Sequence, residues 1–171
     1  LIVAVALGYV NSITVDKIAA AAEQKLQDSM KQIVPDADSF NEITVSATDG
    51  SIVNRAFEVI KGSAPAGLCV QVAPNGFSGP ISMMVGIGKD GKVLGVRIIS
   101  MTETAGLGTK TNNEKWLSQY VGFTEPFTVV KNAASKEGDI IAVSGATISS
   151  RAVTAGVTAA VDFAKSYSEV K

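Results

Sequence analysis

The sequence predicts an α+β domain with a mostly antiparallel sheet and flanking helices, preceded by an N-terminal transmembrane segment and an amphipathic stalk helix. Three observations favour this fold class: an apolar opening that runs into a helical repeat, a series of short strand-like runs separated by glycine turns, and a closing helix rich in alanine and valine. A chain of 171 residues suits one domain, alone or with an appendage.

The first ten residues, LIVAVALGYV, carry no charge. They are too few to cross a bilayer core, which needs about 20. We interpret residues 1–14 as the end of a membrane anchor, either a transmembrane helix or an uncleaved signal anchor. The alternatives are a short buried strand and the remains of a signal peptide.

The next element is predicted to be a stalk helix within residues 15–38. Its apolar positions recur at helical spacing from Asp16 to Val34, and Pro35 ends the repeat. These positions are Ile18, Ala22, Leu26, Met30 and Ile33. A membrane segment that runs into this helix would hold the rest of the chain near the bilayer surface.

Residues 39–171 are predicted to form the main domain. Asp49-Gly50 and Asp90-Gly91 are typical of tight hairpin turns. The predicted strands are Asn41–Ala47, Ile52–Ile60, Gly67–Ala73, Ile81–Gly88, Lys92–Met101, Phe127–Lys131 and Asp139–Val143. A short helix is expected around Asn113–Tyr120 and a long one from Ile148 to about Ser166.

Several functions are excluded by composition. The chain has no histidine, so catalytic triads and histidine-ligated metal sites are absent, and Cys69 as the only cysteine cannot build a disulfide or an iron–sulfur cluster within this chain. A net charge of −1 without a basic block argues against nucleic-acid binding. We expect no catalytic side chain and no metal site, so redox chemistry would need an organic cofactor.

A candidate anion site lies at the start of the last helix, at Ser144-Gly145-Ala146-Thr147. The first turn of a helix presents unpaired N–H groups and the positive end of its dipole, and two small residues leave room for a phosphate. Arg151, four residues after Thr147, could pair with phosphate oxygens. The alternative is that Thr147 only caps the helix and Arg151 is a solvated surface charge.

A second candidate segment is the loop from Thr102 to Lys110. Its glycines would let the backbone approach a flat ligand. Leu107 could pack on the face of such a ligand. Together with the glycine-rich loop Asn75–Pro80 and the final helix, the order of motifs resembles the FMN-binding domain family. The likeness is strongest to the G subunits of Rnf electron-transport complexes, with the C subunits of sodium-pumping NADH:quinone oxidoreductases as relatives.

The resemblance implies that a flavin transferase esterifies Thr147 with the phosphate of FMN. It further implies that Glu103, Thr104, Leu107 and Gly108 border the isoalloxazine ring or the ribityl chain, with Lys110 adding positive charge. Two positions depart from the family pattern: Ala105 stands in place of a proline, and Ile141 in place of an aspartate three residues before the quartet. Strict recognition of that aspartate would affect modification of Thr147.

By the same resemblance, the protein is expected to be a single-pass subunit of the cell membrane with its flavin domain outside the cytoplasm. It would relay electrons between the other membrane, flavin and iron–sulfur subunits of an ion-translocating ferredoxin:NAD oxidoreductase. The open alternatives are a subunit of the quinone-reducing relative, a noncovalent FMN-binding reductase, and a binding or scaffold module without cofactor.

Overall fold

The computed structural model describes the backbone of residues 2–45 and 51–170, and the side chains of residues 17–45 and 51–168. Three α-helices and seven strands are present in this part of the chain: α1 Ile2–Ile33, β1 Ser39–Ile43, β2 Val53–Lys61, β3 Ala64–Val72, β4 Ile81–Gly88, β5 Val93–Met101, α2 Glu114–Leu117, β6 Thr128–Val130, β7 Asp139–Ile141 and α3 Thr147–Val170. Two 3₁₀-helices, Gly108–Asn112 and Ser118–Tyr120, flank α2.

The main sheet has five strands in the order β1-β2-β3-β4-β5, and every neighbouring pair is antiparallel. The α+β class with a mostly antiparallel sheet is therefore confirmed. The predicted turn at Asp49-Gly50 lies outside the described residues. The hairpin at Gly62-Ser63 was not predicted. Both residues have positive φ, and β3 starts at Ala64, three residues before the predicted start.

Helix α1 packs on one face of the sheet through its last two turns. Leu26 and Met30 are buried against Phe57, Cys69 and Met84, and each buried side chain of this size contributes about 1.5–3 kcal/mol. Residues 17–25 are exposed. The stalk helix is thus observed as part of one helix, Ile2–Ile33, which runs through the predicted boundary at residue 14.

The expected membrane anchor falls on residues whose side chains lie outside the described part. Among the residues that the structure describes, no helix has both the length and the apolar character needed to span a bilayer. The predictions of a single-pass anchor and of a flavin domain outside the cytoplasm stay predictions.

Helix α3 covers the opposite face of the sheet. Its inward residues, among them Val153 and Val157, are fully buried against strand residues such as Val70 and Met83. Alternate residues of β3 and β4 therefore belong to different cores, one under α1 and one under α3, as strand geometry requires. This explains why these strands read as nearly continuous apolar runs.

Strands β6 and β7 form a separate, parallel two-stranded sheet. Both strands were predicted, but their separation from the main sheet and their parallel pairing were not. Trp116 and Phe123 are both partly buried. Trp116 packs against the core and donates its ring N–H to the Ile141 carbonyl at 2.7 Å.

Candidate functional site

The antiparallel pairing of β4 and β5 brings two loops to one end of the sheet. The glycine-rich loop precedes Ile81, the second loop follows Met101, and these two residues are paired in the register. Helix α3 begins at the same end, since Ser149 in its first turn hydrogen-bonds to Glu103 of the second loop. Segments far apart in the chain thus form one site.

The three segments enclose a groove of about 370 Å³. This volume lies within the range of about 300–1,000 Å³ common for small-molecule sites. The lining residues are Phe77, Glu103, Thr104, Leu107, Gly108, Gly145, Ala146, Thr147, Ile148 and Ser149. Phe77, Leu107 and Ile148 expose 68%, 45% and 54% of their surface, so the wall offers apolar side chains to a ligand.

The Glu103 carboxylate connects the three segments. It is 7% exposed, accepts a hydrogen bond from the Ser78 amide at 2.9 Å, and accepts another from the Ser149 hydroxyl. Burial raises the pKa of Glu103, but the hydrogen bonds from Ser149 and from the amides of Ser78 and Phe77 outweigh burial and hold the pKa below its ordinary value. Glu103 is therefore ionised at neutral pH.

Gly108 allows the second loop to pass close to Glu103. A Cβ atom at this position would overlap Glu103 Oε2 and lie 2.8 Å from Ser149 Oγ, closer than van der Waals contact permits. A Cβ atom added at Gly76 would likewise lie too close to the other carboxylate oxygen, at 2.5 Å. The glycines of both loops thus serve close packing around one carboxylate.

Helix α3 begins with Thr147, and the Ser150 amide donates to the Ala146 carbonyl at 2.9 Å. Ala146 consequently holds the N-cap position, and the interpretation of Thr147 as the cap is wrong. The amides of Thr147, Ile148 and Ser149 have no carbonyl partner within the helix. No hydrogen bond joins the Thr147 side chain to another described residue, and this side chain is only partly buried.

Gly145 gives the quartet its shape. Its φ of +77° lies in the left-handed region that favours glycine, and a Cβ there would lie 3.1 Å from the Leu107 side chain. The quartet therefore turns directly beside the second loop. This turn orients the start of α3 towards the groove.

Seven of the ten predicted site residues line the groove: Glu103, Thr104, Leu107, Gly108, Gly145, Ala146 and Thr147. The other three do not. Ser144 is exposed next to the groove, Lys110 is exposed on the 3₁₀-helix, and Arg151 lines a different groove beside Phe127 and Thr154.

Three groove residues were missed in the sequence analysis: Phe77, Ile148 and Ser149. An aromatic residue between the glycines of a loop is a sequence signal that could have indicated Phe77. Ile141, the departure from the family pattern, is 40% exposed. Its backbone is held by Trp116 and by Gln119, whose side-chain oxygen accepts from the Ile141 amide at 2.8 Å.

Comparison with known proteins identifies the family. The model of the FMN-binding domain matches residues 76–162, which include both loops and the start of α3. The G subunit of the ion-translocating oxidoreductase complex of Shewanella baltica is 35% identical over 170 residues, covering 89% of this chain and 78% of the relative. The G subunit of the proton-translocating ferredoxin:NAD(+) oxidoreductase complex of Clostridium ljungdahlii is 33% identical, covering 85% and 75%.

Solved structures share the fold. The crystal structure of Shewanella oneidensis NqrC matches with a TM-score of 0.53 and 21% identity, over 73% of this chain and 65% of NqrC. The C subunit of the Na(+)-translocating NADH-quinone reductase of Parabacteroides distasonis matches with a TM-score of 0.54 and 16% identity, over 71% and 73%. From the family match and the identity to the G subunits, this chain belongs to the FMN-binding domain family and is a homologue of the G subunits of ion-translocating oxidoreductase complexes.

Proposed function

We propose that this protein is the electron-carrying G subunit of an Rnf-type ion-translocating oxidoreductase complex, with FMN joined through its phosphate to Thr147. The observation that carries the proposal is the Thr147 hydroxyl, which bonds to no other described residue and lines an apolar groove at the N-terminus of a long helix. The names of the relatives support the assignment to such a complex.

The start of α3 fits a phosphate ester. Three amides of the first turn have no partner within the helix, and the positive end of the helix dipole stabilises the negative charge of the ester. Gly145 and Ala146 present no bulky side chain beside Thr147. Arg151 is exposed on a different groove and is a weaker candidate for contact with the phosphate.

The groove fits a flat heteroaromatic ring. Phe77, Leu107 and Ile148 offer apolar surface, and the polar Glu103 carboxylate is already used by its hydrogen bonds. When bound, FMN supplies the redox chemistry, taking up and releasing electrons singly or in pairs. The protein would bind the cofactor, orient it and limit its contact with water.

The finer parts of the assignment belong to the same proposal. Electrons would pass between the flavin and iron–sulfur partners of the complex, a flavin transferase would attach FMN, and the N-terminal part of α1 would connect the domain to the membrane. The exposed residues 17–25 are consistent with a helix that extends beyond the domain. Because the domain itself offers no histidine or catalytic cysteine, substrate chemistry would lie in partner subunits.

The test is the intact mass of the chain produced together with a flavin transferase. We expect an increment of one FMN less one water, together with yellow colour that survives denaturation. Thr147→Ala should remove the increment and change the free energy of unfolding by no more than about 0.5 kcal/mol, because its hydroxyl has no hydrogen-bond partner among the described residues. Thr104→Ala, a matched threonine on the same groove, should keep the increment.

Three results would contradict the proposal. Covalent flavin on Thr147→Ala would move the attachment to another residue. Flavin lost on denaturation of the wild-type chain would favour a noncovalent FMN-binding protein. A colourless chain without increment after production with the transferase would exclude the flavin assignment.

A further inference from the structure

We propose that Glu103 lowers the reduction potential of the bound flavin by keeping a buried, unpaired negative charge in the wall of the groove. The inference rests on the proposed function, because it concerns the same groove. It concerns a role of Glu103 that differs from direct contact with the ribityl chain or the ring.

The first support is the geometry of the carboxylate. Glu103 lines the groove and is 7% exposed, so water screens its charge poorly. Its two oxygens are directed to protein donors: Oε1 to the Ser78 amide and Oε2 to the Ser149 hydroxyl. The side chain is therefore held in one place by two different segments.

The second support is that Glu103 forms no ion pair with a described cation. Among the described residues, the ion pairs of the protein involve Arg55, Lys61, Arg97 and Lys165, and none of them reaches Glu103. The donors that hold this carboxylate are neutral. These donors stabilise the carboxylate without neutralising it, so Glu103 keeps its negative charge in the wall of the groove.

The consequence follows from electrostatics. A fixed negative charge opposes the addition of electrons to a neighbouring group. This repulsion is stronger in a poorly screened site than in water. A flavin in this groove should thus be harder to reduce than it would be with a neutral residue at position 103. Glu103 also positions the aromatic Phe77, because the carboxylate holds the amides of the loop that carries this ring.

The experiment is a redox titration of the flavin-loaded chain, followed by absorbance. Glu103→Gln keeps the shape of the side chain, its carbonyl can still accept from Ser78, and its amide can donate to Ser149. We expect the ratio of reduced to oxidised flavin at a given ambient potential to rise about tenfold, which is about 30 mV for a two-electron couple. Glu42→Gln removes an equal charge from β1, at the opposite edge of the sheet from β5, and should leave the potential unchanged.

Ser149→Ala is the second variant. It keeps the charge of Glu103 but removes a hydrogen bond that partly offsets this charge, so the potential should fall below that of the wild type. This titration also decides the question if Glu103→Gln does not retain flavin. Denaturation of the flavin-free variants shows whether each one folds.

Two outcomes would overturn the inference: an unchanged potential in the flavin-loaded Glu103→Gln and Ser149→Ala variants, or an equal shift in Glu42→Gln. A wild-type chain that carries no flavin contradicts the proposed function instead. The two failures are therefore distinguishable.

Discussion

Gly108→Ala is the sharpest test of how the groove is packed. Gly108 is buried, and its φ lies outside the left-handed region, so the cost of the substitution comes from the added methyl group. This group would lie 2.7 Å from Glu103 Cβ and 2.8 Å from Ser149 Oγ, and closer still to Glu103 Oε2. Neither neighbour can move freely, because they are hydrogen-bonded to each other.

The expected loss follows from overpacking. Forcing one methyl group into a close-packed site costs about 1–3 kcal/mol of the free energy of unfolding. In a Ser149→Ala background, one of the two obstacles is gone and Glu103 Oε2 has lost its anchor. Gly108→Ala should therefore cost less there, by a coupling of about 1 kcal/mol.

The assay is urea denaturation of the wild type, both single variants and the double variant. Gly106→Ala is the control: this glycine lies in the same loop with φ of +75°, and a Cβ would meet nothing within 4 Å. Its cost of about 1–2 kcal/mol comes from backbone strain and should add to that of Ser149→Ala without coupling. A Gly108→Ala cost below about 0.5 kcal/mol, or strict additivity with Ser149→Ala, would refute the packing argument.

Three further predictions concern the rest of the domain. The pKa of Glu103 in the folded protein lies below its ordinary value of 4.5, so the carboxylate stabilises the fold above pH 4.5, and this stability is lost as the pH falls through the folded pKa. In Glu103→Gln, the free energy of unfolding should therefore fall less steeply as the pH is lowered into the acid range. An unchanged slope there would contradict this. Tyr120→Phe should cost about 1 kcal/mol in urea denaturation, since the buried hydroxyl bonds to Thr154 Oγ1 at 2.8 Å, whereas a loss indistinguishable from zero would mean that this bond adds nothing. Burial raises the pKa of the Cys69 thiol to about 12, so a thiol reagent at pH 8 should react only after unfolding; rapid labelling of the folded chain would show that the strand opens.

Local patterns in the sequence were sufficient for much of the architecture. The helical repeat around Leu26 and Met30, the Asp90-Gly91 turn and the long final helix depend on residues close together in the chain, and the structure has all three. The ends of the strands were predicted less accurately, because pairing across strands decides where a strand ends. The missed turn at Gly62-Ser63 shows this, since Ala64 joins β3 by pairing with Lys61.

The candidate site could be predicted only in part, for a similar reason. The sequence by itself determined that a small-residue quartet precedes a helix, that a loop with two glycines follows a strand, and that no histidine is present. Only the tertiary structure decided that Glu103 points inward to Ser149, that Ala146 holds the cap position, and that Arg151 lines another groove. Composition and periodicity report on neighbours along the chain. A carboxylate's partner, its burial and its uncompensated charge depend on segments that meet only when the sheet and its last helix have packed together.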